Sequence, residues 1–258
     1  MSSGSVRFDR AAEYYDRTRG LPPEAMDRVV GLLVPELQPR GRCLEIGVGT
    51  GRMAIPLAAA GVRMYGVDLS EAMLRKLLEK SEAVPVALAD ATAIPLPDGE
   101  FGAAIAVHVL HLIPDWRAAV REMARVAGPG GELLIDVGSW DRDDTRDLED
   151  HFEAETGVSQ RFVGLGPRDA GDLDAELASI GAKDPRLLET VVEGQPRSVD
   201  RLIQELEDGL YSWTWPIPDA DRHRAAAAVR TWASDHYGSL EAQLPAGRAI
   251  TFRAYDLS

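Results

Sequence analysis

Leu44-Glu45-Ile46-Gly47-Val48-Gly49-Thr50-Gly51-Arg52 is a short apolar strand breaking into a glycine loop, the form taken by a strand whose carboxyl end opens onto a ligand. Several nucleotide-binding folds use such a loop, and the spacing separates them. A dinucleotide fold needs G-x-G-x-x-G, where the third glycine lets the helix pack close beneath a pyrophosphate. Here glycines stand at 47, 49 and 51, and Arg52 takes the place of that third glycine. Glu45, two residues before the first glycine, would repel a pyrophosphate. No Gly-Lys-Ser/Thr run marks a P-loop. The loop therefore points to a ligand carrying an ammonium group rather than a diphosphate.

Outward from this loop, helix-period and short apolar segments alternate, as in an α/β sheet with crossover helices. Upstream, Pro22-Pro23 opens a helix with Met26, Val29, Val30, Leu33 and Leu37 on one face. Downstream, Met53, Ile55, Leu57 and Ala58 mark a helix ended by Gly61, and Val62 to Val67 is a second strand stopping at Asp68. Ser70 caps a helix whose Met73, Leu74, Leu77 and Leu78 face inward. Val84 to Leu88 is a third strand, and Phe101 to Val107 is apolar enough for a strand buried on both faces. A helix with Trp116, Val120, Met123 and Ala127 stops at Gly128-Pro129-Gly130-Gly131, before a fifth strand from Glu132 to Val137.

The second half is less regular. Asp147 to Glu155 suggests one helix, and Leu173, Leu177 and Ile180 a second, ended by Gly181. Leu187 to Val192 and Ala249 to Ala254 complete seven strands. Between these two, Ser198 caps a helix carrying Val199, Leu202, Ile203, Leu206 and Leu210, and a longer one carries Ala225, Val229, Trp232 and His236. No Gly/Ser linker divides the chain, so one domain over 1–258 is expected, with a core at 41–137 and a helical insertion at 195–247.

Glu45, Asp68 and Asp90 each stand at or just past a strand end. In a parallel sheet those ends share one edge, which gathers the three carboxylates in a single crevice at the topological switch point. Asp68, seventeen positions after Gly51, is placed to accept two hydrogen bonds from a ribose diol. Any one of these acids alone reads as a helix cap. Three beside a glycine loop read as ligand contacts.

Composition narrows the partners. With 28 basic against 42 acidic residues the formal charge is −14, which repels phosphate backbones and anionic lipid, so neither nucleic acid nor membrane is expected as a partner. No apolar run approaches the roughly 18 residues of a membrane span, and the Met-Ser-Ser-Gly start lacks the form of a signal peptide. Cys43 is the single cysteine, so no internal disulfide and no cysteine metal cluster can form, and it reads as a small buried hydrophobe. A cytoplasmic globular protein is expected, with its oligomeric state open.

In order and at these spacings, several pieces together resemble the class I S-adenosylmethionine-dependent methyltransferases. They are Phe8-Asp9, Tyr14-Tyr15-Asp16-Arg17-Thr18-Arg19, Leu44 to Gly51, and Gly66-Val67-Asp68-Leu69-Ser70 with Met73. Ala89-Asp90-Ala91, the Pro95-to-Phe101 turn and Gly128-Pro129-Gly130-Gly131 complete the set. The resemblance is to the small-molecule branch typified by ubiquinone/menaquinone-biosynthesis enzymes, and it runs to Val137, about half the chain. It implies a Rossmann-like, seven-stranded, mostly parallel sheet with the last strand antiparallel, helices on both faces and the insertion acting as a lid. It also implies S-adenosylmethionine as cofactor, S-adenosylhomocysteine as product and a small-molecule acceptor. Gly47, Gly49 and Gly51 would face the methionine part, with Glu45 near its amino group, Asp68 on the ribose, and Leu69 and Met73 against the adenine. Asp90 and Ala91 would take the adenine edge, and Tyr15 and Arg19, on amino-terminal helices within 1–40, its carboxylate, with Arg17 an equal candidate for the latter.

Methyl transfer to an acceptor that keeps its proton at neutral pH needs a general base. His108 and His111 stand where the fourth strand ends, on the edge that faces the methyl group in this family, so both are candidate catalytic residues and His108 also a cofactor contact. One packing under the cofactor and the other capping the next loop is the competing account. The cytosine-C5, arsenite and adenine-DNA subclasses are excluded because their cysteines or Asn/Asp-Pro-Pro segment are missing, and no aspartate pair for magnesium follows the fourth strand, so no metal is expected. Trp213 and Trp215 lie in the insertion as core or as acceptor wall. A nicotinamide oxidoreductase and a non-catalytic cofactor-binding protein stay open beside the methyltransferase.

Overall fold

Apolar pentads and amphipathic stretches sort themselves into strands and covering helices in the computed structural model, which describes residues 7–136, 143–158, 163–166, 169–192, 196–245 and 248–257. In chain order the elements begin α1 (Tyr15–Arg19), α2 (Pro23–Leu37), β1 (Arg42–Ile46), α3 (Ala54–Ala59), β2 (Arg63–Asp68), α4 (Glu71–Lys80) and β3 (Val86–Leu88). They continue with β4 (Ala103–Ala106), α5 (Trp116–Ala127), β5 (Glu132–Asp136), α6 (Asp143–Thr156), α7 (Ala170–Ser179) and β6 (Arg186–Val192). The chain closes with β7 (Arg197–Ser198), α8 (Val199–Glu207), α9 (Asp219–Tyr237), β8 (Gln243–Leu244) and β9 (Arg248–Asp256).

Seven strands pair in the order β3-β2-β1-β4-β5-β9-β6. β1 to β5 run parallel, and β9 lies antiparallel on β5, so the expected mostly parallel α/β sheet with an antiparallel last strand is observed. Central strands β4 and β5 are buried along their length; Ala103–Ala106 is wholly apolar, and β5 carries Leu133, Leu134 and Ile135 between the buried acids Glu132 and Asp136. Leu44, Ile46, Ala104, Leu133 and Ile135 of the sheet pack against Val120 and Met123 of α5. The helix boundaries are set by local chemistry. Ser70 and Ser198 accept the N–H of Met73 and Arg201, Asp115 accepts that of Ala118, and Gly128 ends α5 at φ 71°.

The chain forms two compact units: Met1–Ser139 with Phe162–Val191 and Ala249–Ser258, and Trp140–Arg161 with Val192–Arg248. The first holds the seven-stranded sheet. The second has its own core, in which Leu148 and Phe152 of α6 meet Ile203 and Leu206 of α8 and Val229 of α9. Trp213 packs against that core.

Several local expectations are corrected. Leu78 is half exposed, because it lies about 100° round α4 from Leu77, beyond the stripe that covers the sheet. Ile180 falls past the last turn of α7 and is exposed at 37%. Trp232 is half-buried and packs against the second core from its edge, its ring stacked on His151 at 3.5 Å and on His236 at 4.7 Å. The two-residue ladder of β7 and β8 was not foreseen. Val137, placed at the end of the fifth strand by its apolar character, lies outside the described residues, as does the 137–142 stretch.

Candidate functional site

The site is built where β1, β2, β3 and β4 release the chain at their carboxyl ends. Gly47 leaves β1 at φ 63°, and a Cβ there would stand 2.3 Å from Val109 Cγ2, so this turn requires glycine. Gly49, at φ 55°, donates its N–H to Asp68 Oδ2 at 2.8 Å. Ser70 donates its N–H to the other oxygen of Asp68, also at 2.8 Å. One carboxylate thus fastens the glycine loop to the end of β2 and to the start of α4. Burial raises the Asp68 carboxyl above the ordinary aspartate range, against the pull of these N–H groups.

Together these ends frame a cavity. Gly47, Gly49, Asp68, Asp90 and His108 line its polar side, and Leu69, Met73, Leu112 and Ile113 contribute apolar wall. Phe8 and Tyr15, packed edge to face at 6.1 Å, line it from the amino-terminal segment. That segment is tied down by acids. Asp9 accepts the Ser70 hydroxyl, and Asp16 accepts both the Thr50 hydroxyl and, at 2.9 Å, the Lys80 ammonium. Asp90 turns back to accept the N–H and hydroxyl of Thr92, a local turn that still leaves it on the cavity wall. Asp68 and Asp90 therefore perform cap-like work and line the cavity as well.

Most residues singled out in the sequence converge here: Tyr15, Gly47, Gly49, Asp68, Leu69, Met73, Asp90, Ala91 and His108 all line the cavity. Glu45 and Gly51 lie behind it. Gly51 packs against Ile55 and Leu77. Glu45 is 3% exposed, its Oε2 has no hydrogen-bond partner, and burial pushes its carboxyl up to about 8, with Arg52 opposing and Asp68 reinforcing. His111 sits in a 3-10 turn whose carbonyl accepts the Gly164 N–H, and it is not one of the cavity-lining residues. Nothing is described for the side chain of Arg19.

His108 is the one described non-glycine residue at positive φ, at 51°. Its Nε2 lies 3.3 Å from Oδ2 of Asp136, whose side chain is 2% exposed at the end of β5. Asp136 escaped the sequence reading. Its only signal was an acid closing the apolar run Leu133-Leu134-Ile135.

Among the described residues that line this cavity there are two carboxylates and no lysine or arginine. Such a lining disfavours a diphosphate and suits a cation whose hydroxyl or amine groups can donate to acids. S-adenosylmethionine fits: a glycine cradle for its amino-acid end, Asp68 for a diol, and apolar side chains for a flat base.

Comparison with known proteins relates the segment that carries this site to methyltransferases. Residues 44–135 match the family model described as a methyltransferase domain. The demethylmenaquinone methyltransferase of Corynebacterium efficiens is 34% identical over 131 residues, 50% of this chain and 56% of that protein. The 27-O-demethylrifamycin SV methyltransferase of Amycolatopsis mediterranei is 34% identical over 116 residues, 42% of each chain. The chain thus spans about half the length of the curated relatives it matches. A SAM-dependent methyltransferase from Thermotoga maritima superposes with a TM-score of 0.55 at 19% identity, over 95% of this chain and 97% of that one, which shows the shared fold.

Proposed function

We propose, from the methyltransferase domain at residues 44–135, that this chain is an S-adenosylmethionine-dependent methyltransferase acting on a small-molecule acceptor. The observation that carries this reading is the glycine loop clamped onto Asp68 and opening on a cavity with two carboxylates and no basic side chain among its described lining residues. In this reading Asp68 accepts the ribose hydroxyls with the lone pairs its backbone donors leave over, and Leu69 and Met73 hold the adenine, whose edge meets Asp90 and Ala91. Gly47 and Gly49 let the backbone approach the methionine moiety, with Gly51 keeping the loop seated. Tyr15 and Arg19 serve its carboxylate, and Glu45 sits beneath its ammonium. The bound sulfonium supplies an electrophilic methyl group. The protein's task is then alignment in a site shielded from water, together with removal of a proton where the acceptor carries one. His108 is the group on the cavity wall for that proton.

In this reading the helical insertion at 195–247 is assigned to acceptor selection; it lies outside residues 44–135, which match the methyltransferase family model. Among the described residues no helix is long and apolar enough to cross a membrane, and the buried free thiol of Cys43 suits a reducing compartment such as the cytoplasm. The net charge of −14 supports a small molecule over nucleic acid as the partner.

The direct test is transfer of a tritiated methyl group from S-adenosylmethionine to a panel of hydroxyquinones, phenols and amines. Label in at least one product, abolished by Asp68→Ala, is expected. Cofactor binding without label in any product would support a non-catalytic binding protein instead.

A further inference from the structure

We propose that the opposite edge of the sheet carries a second binding site, a cleft that takes a small polyvalent oxyanion, a diphosphate or a polycarboxylate, between Arg42 and Arg63. The proposal stands independently of the cofactor reading. Where the strands begin rather than end, the turns entering β1, β2, β4 and β5 enclose a cleft of about 420 Å³, large enough for a small molecule. None of its described lining residues lines the cofactor cavity.

Strand register carries the argument. β1 and β2 run parallel with Arg42 opposite Arg63, so two arginine side chains start from neighbouring strands on one face of the sheet. Like charges in directly opposite positions destabilise a sheet. The chain has 42 acidic residues against 28 basic, so composition does not force two arginines together. Arg42 is answered from within, its Nη2 lying 2.6 Å from Glu100 Oε1. Among the described residues Arg63 has no ion-pair partner. The third arginine of the cleft, Arg40, is occupied by structural partners. It pairs with Asp256 at 2.8 Å and Glu132 at 3.3 Å, and donates to the Gly130 carbonyl at 3.1 Å. An oxyanion bound between Arg42 and Arg63 would cancel the repulsion that the register creates.

Both arginines are held in place. The Arg42 guanidinium carbon lies 5.9 Å from the ring centroid of Tyr65 and 5.8 Å from that of Phe101, and the two rings pack edge to face at 5.4 Å. Arg63 Nη2 rests beside Gly41, where a Cβ would stand 3.2 Å from it. Glycine also makes much of the remaining wall. Gly128 approaches Gly99 so closely that a Cβ on it would lie 2.7 Å from the Gly99 Cα. Walls without side chains admit a ligand close to the backbone, and guanidinium forks present paired donors that match phosphate or carboxylate oxygens. Glu100 already places a carboxylate on Arg42, and a ligand would compete with it for that guanidinium.

The test is calorimetric titration of the full chain with inorganic pyrophosphate and, separately, with citrate. Wild type is compared with Arg63→Gln, Arg42→Gln, Glu100→Gln and a control, Arg75→Gln, whose arginine lies on α4 outside the cleft. Saturable binding of one anion per chain is expected, and the tighter of the two probes separates phosphate from carboxylate recognition. Affinity should fall roughly 10-fold or more in Arg63→Gln and in Arg42→Gln, because each loses a charged hydrogen-bond donor. It should rise in Glu100→Gln, where the competing carboxylate is gone, and stay unchanged in Arg75→Gln. In anion-free buffer Arg63→Gln should melt no lower than wild type, since it also removes the like-charged pair. No saturable binding of either anion by wild type, equal affinity in wild type and Arg63→Gln, or displacement of the anion by S-adenosylhomocysteine would overturn the proposal.

Discussion

At the scale of single residues, Glu45 and Gly47 carry the sharpest consequences. Glu45 is buried with an unpartnered oxygen and a carboxyl pushed up to about 8, so the fold favours its protonated form. A group whose pKa is raised on folding contributes its full stability below its unfolded value and loses that contribution as pH climbs through the folded value. Glu132, raised to about 7 by burial despite Arg40 and Arg186, acts with the same sign over a lower window. Glu36 and Asp174, both lowered, lose their contributions only in acid. The ligand-free protein is therefore expected to lose melting temperature steadily as pH rises from near 4.5 through 8. Glu45→Gln should flatten the upper part of that slope, and an unaltered slope by calorimetry would contradict the account. Gly47→Ala should destabilise by about 1–3 kcal/mol and weaken S-adenosylhomocysteine binding, since its Cβ would strike Val109 from a left-handed backbone. Adding Val109→Ala should recover part of the loss. The glycines and Asp68 were legible in sequence because local geometry dictates their types. Asp136 was not, because its pairing with His108 depends on the register of two strands separated by a whole helix.

At the scale of elements, the amino-terminal segment is held over the glycine loop by carboxylates that the sequence offered only as scattered acids. Asp16 reaches Thr50, which is fully buried within the loop, and Lys80, which is exposed. The two contacts should differ in worth. An exposed ion pair contributes about 0–1 kcal/mol, whereas a charged hydrogen bond to a buried hydroxyl contributes about 1.5–3 kcal/mol. Asp16→Ala is accordingly expected to weaken S-adenosylhomocysteine binding roughly 10-fold or more by calorimetry. Lys80→Ala should leave it nearly unchanged, and equal effects would show that the latch is not at Thr50. Helix and strand existence were readable from periodicity, but the limits of each buried face were not. Leu78 continues the apolar run of α4 in sequence yet lies half exposed, because one residue turns the helix about 100° and carries it past the face that covers the sheet. Likewise β7 and β8, at two residues each, are too short for any period to register.

At the scale of the whole molecule, the sheet unit and the helical unit differ in how far sequence speaks for them. Strand order, the cavity and the matched 44–135 segment all lie in the first. The second was foreseen as helical from its amphipathic stretches, while its separate core formed by α6, α8 and α9 depends on residues that are distant in sequence. The central claim, a sulfonium cofactor in the glycine-loop cavity, is tested most directly by the thermal stabilisation that S-adenosylmethionine, S-adenosylhomocysteine and NADH confer on wild type and on Asp68→Asn. A true ligand at a hundred times its dissociation constant adds about 2.7 kcal/mol, which moves the melting point by several degrees. Stabilisation by both sulfur compounds and not by NADH, lost in Asp68→Asn, is the predicted result; stabilisation by NADH alone would contradict it.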